Sequence, residues 1–120
     1  MTISIIIPVY KVEKYIQRCL KSVIAQECDD FDIECILVDD CSNDISMVIA
    51  KDVIDHYHGQ ISFRIISNSE NQGPSVSRNN GLINANGDYI FSWIPMIIFQ
   101  RIVCHVCIKK SIILDVWLTW

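Results

Sequence analysis

The chain has 120 residues, enough for one small domain, and its 51% hydrophobic content belongs to folded chains and not to disordered segments. Ten Lys and Arg against fourteen Asp and Glu give a formal net charge of −4, which argues against nucleic acid as a partner because phosphate binding needs a basic surface.

The chain opens MTISIIIPVYKVEKY. Its apolar stretch is short, lacks a basic flank and lacks a small-residue cleavage site, so a buried strand is expected there and not a signal peptide. The isoleucine-rich run from Ile3 to Pro8 suits a strand covered on both faces. From Val12 to Ile24 the spacing turns helical, with Val12, Ile16, Cys19, Leu20, Val23 and Ile24 on one apolar stripe. A second strand runs from Ile33 to Val38 and ends on the acidic pair Asp39-Asp40. The turn-rich Cys41-Ser42-Asn43-Asp44 can cap a helix from about Ser46 to His58, which Gly59 ends.

A third strand is expected from Ile61 to Ser67, then a polar loop from Asn68 to Pro74, a helix from Ser75 to Ala85, and a fourth strand from Tyr89 to Phe91. The order β-α-β-α-β-α-β predicts an α/β fold: a mostly parallel, Rossmann-like sheet with helices on both faces and right-handed crossovers.

Residues 92–120 are strongly apolar but keep no steady period. The stretch from Tyr89 to Ile108 has the length of a membrane span, yet Gln100, Arg101 and His105 interrupt it and Pro95 would kink it. The six cysteines do not read as a disulfide framework: Cys19 lies on a helical stripe, Cys28 precedes a strand, Cys35 lies within it and Cys41 sits in a loop. With no export signal, reduced thiols in a cytoplasm are expected. Cys104 and Cys107 form a CxxC, but no second pair follows to complete a zinc site, so no metal ligand is assigned.

In an open parallel sheet, ligands bind beyond the C-terminal strand ends. Polar residues collect there: Pro8-Val9-Tyr10, then Asp39-Asp40, then the loop before Arg78. Tyr10 can stack on a base, a carboxylate can accept the imide proton of uracil, and Arg78 can neutralise phosphate or hold the carboxylate. Taken singly, each has a structural alternative: Tyr10 closing the core edge, Asp39-Asp40 with Ser42 capping a helix, Arg78 in a surface ion pair. No GxGxxG or GxxxxGK[ST] occurs, which disfavours dinucleotide and P-loop binding and a Rossmann-type reductase.

Three segments, ISIIIPVYKVEKYIQRCLKSVIAQ, ECILVDDCSNDIS and NQGPSVSRNNGLINANGDYIF, resemble the family 2 glycosyltransferases of GT-A fold in order and spacing. The resemblance implies that residues 3–91 are the nucleotide-sugar-binding half of such a domain. It implies that Pro8 and Tyr10 line the nucleoside pocket and that Asp40, with Asp39 beside it, contacts uracil and orders the loop. Arg78 would lie against the base and Asp40, while Gly73 and Asn79 shape the loop over the nucleotide. The implied ligand is a nucleotide sugar, UDP-sugar favoured. Transfer would proceed with inversion to a saccharide or lipid-linked acceptor, with a divalent cation (Mn or Mg) on the diphosphate in the intact family. The implied location is cytoplasmic, with peripheral association at the inner face of the membrane allowed.

The family follows its GDYI-type strand with an Asp-x-Asp or Asp-Asp cluster that holds the metal. Here no carboxylate follows Asp88 until Asp115, and the catalytic base of the family's later half has no counterpart. The genetic code offers a reason. Trp93 is encoded only by TGG, Met96 only by ATG, and every isoleucine codon begins AT. Shifting the frame by one base makes Trp93-Ile94 and Met96-Ile97 each yield GAT, aspartate. The neighbouring codons permit Leu-Asp-Ser-Asp-Asp, the absent motif, in its expected place. Residues 92–120 therefore read as an out-of-frame tail, with no cation bound and no transfer expected. The rival reading is a non-catalytic nucleotide-binding or membrane-associated module whose hydrophobic tail is genuine.

Overall fold

The computed structural model describes residues 2–27, 29, 31–92 and 108–109. The isoleucine-rich run forms β1 (Thr2–Val9), followed by α1 (Ile16–Ile24), β2 (Asp32–Asp39), α2 (Ser46–Asp55), β3 (Ser62–Ser67), α3 (Pro74–Asn84), β4 (Tyr89–Ser92) and β5 (Ile108–Lys109). The sheet order is β3-β2-β1-β4-β5. β1 pairs in parallel with both β2 and β4, β2 pairs in parallel with β3, and β5 joins β4 antiparallel. The mostly parallel sheet expected from the strand-helix alternation is thus present.

Alternation along β1 and β2 divides the core between two faces, because successive side chains of a strand point to opposite sides. Ile3, Ile5, Ile7 and Val9 pack with Ile33, Cys35 and Leu37 against Ile16, Cys19, Leu20 and Val23 of α1 and Ala50 and Val53 of α2. Ile6, Ile36 and Val38 face the other way, onto Leu82 of α3, Ala85 and Ile90. The helices therefore lie on both faces, two on one and α3 on the other. Ile5, Ile6, Ile7, Ile36 and Leu37 are fully buried. Each such side chain contributes about 1.5–3 kcal/mol by leaving water. β3 lies at the sheet edge and is only partly covered, with Ile65 exposed.

Two helix boundaries differ from the expectation. α1 begins at Ile16, not at Val12, because Val12 is used twice elsewhere. Its amide donates to Ser46 Oγ at 2.9 Å, and its carbonyl accepts from the amides of Tyr15 and Ile16, closing a turn before the helix starts. α2 ends at Asp55, before His58 and Gly59. Tyr57 leaves the helix to meet Phe63 edge-on, ring centroids 5.3 Å apart, while its hydroxyl donates to Glu27 and accepts from the Ile61 amide. Tertiary contacts thus override the apolar periodicity at both places.

No helix among the described residues is long and apolar enough to cross a membrane. The first residues of the membrane-length stretch, Tyr89 to Ser92, are strand β4. Cys104, Cys107 and the tail from Trp93, apart from 108–109, lie outside the described residues.

Candidate functional site

The winding of the sheet reverses at β1, which lies between β2 and β4. Such a reversal opens a crevice beyond the C-terminal strand ends, where open α/β sheets bind ligands. Backbone bonds hold those ends level: the Asp40 amide donates to the Val9 carbonyl at 3.0 Å, and the Asn68 amide to the Asp39 carbonyl at 2.8 Å. Pro8 stands opposite Val38, past the last described rung with β4 (Ile6 with Ser92), so its missing N–H interrupts no described β4 bond.

Immediately after β1, Tyr10 is 40% exposed, with the Lys11 ammonium 5.3 Å from its ring centroid. The chain turns sharply here. Lys11 and Cys41, each just beyond its strand, both adopt positive φ, 52° and 59°. A chain of short polar contacts joins the two turns. The Lys11 amide donates to Ser42 Oγ, the Ser42 amide donates to Asp39 Oδ1, and Ser42 Oγ donates to Asp44 Oδ1. Asp44 also accepts from the Ser46 amide in the first turn of α2. Burial pushes the Asp44 carboxyl up, but the bonds from Ser42 and Ser46 outweigh it and bring its pKa down to about 2. The carboxylate that meets the first amide of this helix is thus Asp44, not Asp39 or Asp40.

Asp40 is directed inward and is 2% exposed. Its Oδ1 accepts from Asn68 Nδ2 at 2.9 Å and from the Gln72 amide at 2.8 Å, and its Oδ2 from the Gly73 amide at 2.9 Å. Burial alone would raise its pKa; bonds from Gln72, Asn68, Gly73 and Ser77 win and hold it below the usual carboxylate value. One buried anion therefore fixes both the loop and Gly73, the residue that precedes α3. Gly73 takes φ 91°, a left-handed conformation that favours glycine, although a side chain there would meet nothing within 4 Å. Pro74 then supplies the fixed φ of a first helical turn.

Arg78 and Asn79 follow on α3, both half-buried, and Arg78 donates to Ser75 Oγ at 3.3 Å. All seven singled-out residues (Pro8, Tyr10, Asp39, Asp40, Gly73, Arg78, Asn79) thus lie on β1, β2 and α3 at one end of the sheet or just beyond it. Direct bonds tie Asp40 to Gly73; Asp39 instead holds Ser42. Sequence reasoning missed Asn68, Gln72 and Ser77. Gln72 acts through its main chain, which leaves no side-chain signal, and Ser77 is an inconspicuous helix residue that is fully buried.

An exposed tyrosine, half-buried carboxylate and arginine side chains, and a helix N-terminus thus follow the strand ends of an α/β domain whose sheet reverses at β1. Residues 4–93 match the sequence model of glycosyl transferase family 2, and the chain belongs to that family. It is 40% identical over 88 residues to glycosyltransferase GlyA of Streptococcus pneumoniae, covering 73% of this chain and 12% of the relative. It is 32% identical over 91 residues to poly(ribitol-phosphate) beta-N-acetylglucosaminyltransferase TarS of Staphylococcus aureus, covering 75% of this chain and 15% of the relative. The crystal structure of S. aureus TarS 1–349 in complex with UDP superposes with a TM-score of 0.70 at 29% identity, covering 79% of this chain and 27% of that one. Glucosyl-3-phosphoglycerate synthase from Mycobacterium tuberculosis, in complex with Mn2+ and UDP, shares the fold with a TM-score of 0.63 at 20% identity, covering 78% of this chain and 33% of that one. The chain spans between 9% and 33% of the length of these and similar curated relatives.

The donors among the described residues do not fit a divalent cation. Among the described residues no group of three or more His, Cys, Asp or Glu could hold a metal ion. Along the sequence, Asp88 is followed by no carboxylate until Asp115.

Proposed function

We propose that this chain carries the nucleotide-sugar-binding part of an inverting glycosyltransferase, with UDP-sugar as the favoured ligand, and that it binds uridine nucleotides weakly without transferring sugar. What supports the reading is Tyr10, exposed just past β1, Asp39 at the end of β2, and a loop that Asp40 holds in place ahead of α3, the helix that carries Arg78. The crystallised relative with UDP supports uracil as the base.

In this reading the ring of Tyr10 stacks on the base, Asp39 and Asp40 provide the carboxylate side of the pocket, and Arg78 meets the phosphate side. Pro8, Gly73 and Asn79 shape the walls. With no carboxylate between Asp88 and Asp115, two phosphates have, among the described residues, Arg78, Lys11 and loop amides to meet them, so affinity stays low and no leaving group is activated. The out-of-frame origin of residues 92–120 accounts for that loss.

Calorimetric titration of the purified chain with UDP, GDP and ADP, with and without Mn2+, tests this. A preference for UDP that Mn2+ leaves unchanged, with no sugar transfer, is the expected result. Manganese-dependent turnover would overturn it. The strongly apolar tail favours a second reading, a membrane-associated binding module. Liposome flotation that depends on residues 92–120 would select it.

A further inference from the structure

We infer that Asn68 is a positioning residue for the nucleotide pocket, acting through Asp40; the inference rests on the nucleotide-binding reading above. Asn68 sits one residue beyond β3, anchored by its own amide on the Asp39 carbonyl at 2.8 Å. Its side chain is bonded on both sides. Nδ2 donates to Asp40 Oδ1 at 2.9 Å and to Ser77 Oγ at 3.1 Å, and Oδ1 accepts from Asn80 Nδ2 at 2.9 Å. An ionised carboxylate accepts only, so the amide has one productive orientation, and Asn80 locks it there. Asn68 therefore joins the ends of β2 and β3 to both the first and second turns of α3, the helix that carries Arg78 and Asn79.

Electrostatics make the side-chain type specific. Asp40 is buried and held ionised by neutral donors, so each donor matters more than it would in water. An alanine at 68 would strip Asp40 Oδ1 of the side-chain donor that it shares with the Gln72 amide. An aspartate has the right shape but the wrong charge. Unprotonated, it sets a second carboxylate against Asp40; protonated, it can donate one hydrogen bond in place of Nδ2–H. Two carboxyls so close share one proton, and their apparent pKa is raised. The charged side chains on β2, β3, α3 and the loops beside them are Lys11, Asp32, Glu34, Asp39, Asp44, Arg64, Glu70 and Arg78, besides Asp40 itself. All are common to native and variant chains, so the difference between their pH profiles isolates the added carboxyl.

The test follows UDP-glucose binding by amide NMR titration of the full chain at pH 5 and pH 8. The diphosphate of this probe has no ionisation in that interval. Native chain is expected to bind equally at both. Asn68→Asp is expected to match native within about twofold at pH 5 and to weaken about tenfold at pH 8, as the Gln72 and Gly73 amides lose protection from exchange. Asn80→Ala, which removes only the orientation lock, is expected to weaken binding about threefold at both pH values with an unchanged melting temperature. It keeps the inference testable if Asn68→Asp fails to fold. A native chain that binds no UDP-glucose overturns the nucleotide reading itself. A native chain that binds, with Asn68→Asp following it at both pH values or Asn80→Ala binding as tightly, overturns the role of Asn68.

Discussion

The Asn86 amide donates to Glu34 Oε2 at 2.9 Å across 52 residues of sequence, joining the segment after α3 to the middle of the sheet. Glu34 collects further donors there: Ser4 Oγ at 2.6 Å, Arg64 at 2.8 Å and Asn86 Nδ2 at 3.2 Å. Gly87 donates in turn to Ser4 Oγ, and Arg64 also caps the Asn84 carbonyl. This latch stands at the C-terminal end of α3, and the Asp40 cluster at its N-terminal end, so α3 is fastened at both ends by a buried carboxylate. Glu34→Ala removes an acceptor shared by Ser4, Asn86 and Arg64. It should destabilise the chain by about 1–3 kcal/mol, since part of Arg64 remains solvated. Urea denaturation measures this, and a change within error would mean the latch contributes nothing net.

Acid should unfold the chain through these same groups. Glu34, Asp40 and Asp44 all have lowered folded-state pKa values: burial raises each, and hydrogen-bond donors overcome it. A carboxylate with a depressed folded pKa stabilises above its unfolded pKa, and that contribution disappears as pH falls through the folded value. The contribution of these three groups should therefore be complete at neutral pH and be lost from about pH 4 toward about 2, the value for Asp44. Melting curves at successive pH values check it; Glu34→Gln should flatten part of the decline.

Gly81 marks where α3 meets the sheet most closely. An added Cβ would stand 2.5 Å from Ile6 Cγ2 and 3.2 Å from Val38 Cγ2. Alanine would gain about 1 kcal/mol of helix propensity, but Ile6 is fully buried and has nowhere to move. Overpacking costs about 1–3 kcal/mol, so Gly81→Ala should lower stability on balance. A higher melting temperature would show that α3 shifts without cost.

Tyr10→Ala tests the pocket without touching the core, because the ring is 40% exposed. Base–aromatic stacking contributes about 1–3 kcal/mol, so UDP affinity should fall roughly tenfold while melting is unchanged. Equal affinity would remove Tyr10 from the pocket.

Manganese separates the tail's two histories. Native chain should bind UDP equally with and without Mn2+. A chain carrying Leu-Asp-Ser-Asp-Asp at positions 93–97 should gain manganese-dependent affinity. Sequencing the DNA from Phe91 onward gives the direct answer: a shifted frame that cannot encode those five residues would sink the out-of-frame reading.

Much of the architecture was legible because burial on two faces leaves a plain mark. The unbroken Ile5-Ile6-Ile7 announces a central strand, and the stripe Ile16, Cys19, Leu20, Val23 announces the helix on it. What periodicity could not register was competition from distant partners. Val12 has the right spacing for α1 but is claimed by Ser46, and Tyr57 has the right spacing for α2 but is claimed by Glu27 and Ile61. At the site, the order of motifs led to Asp40 and Gly73. The donors that occupy Asp40 were hidden, since a main-chain N–H has no residue signature and Asn68 looks like any loop asparagine.

The central position of β1 also sets a schedule for synthesis. Thr2 waits for Asp88, 86 residues further along the chain, before its amide and carbonyl find their partners beside β4. Until Tyr89–Ser92 is out of the ribosome, β1 can pair with β2 alone, and its other margin stands open. Domains emerge N-terminal end first and at a pace of residues per second, so this margin is exposed for seconds to anything that binds strands. Chaperone demand should therefore peak just before Tyr89–Ser92 leaves the exit tunnel, and fall once that short strand docks.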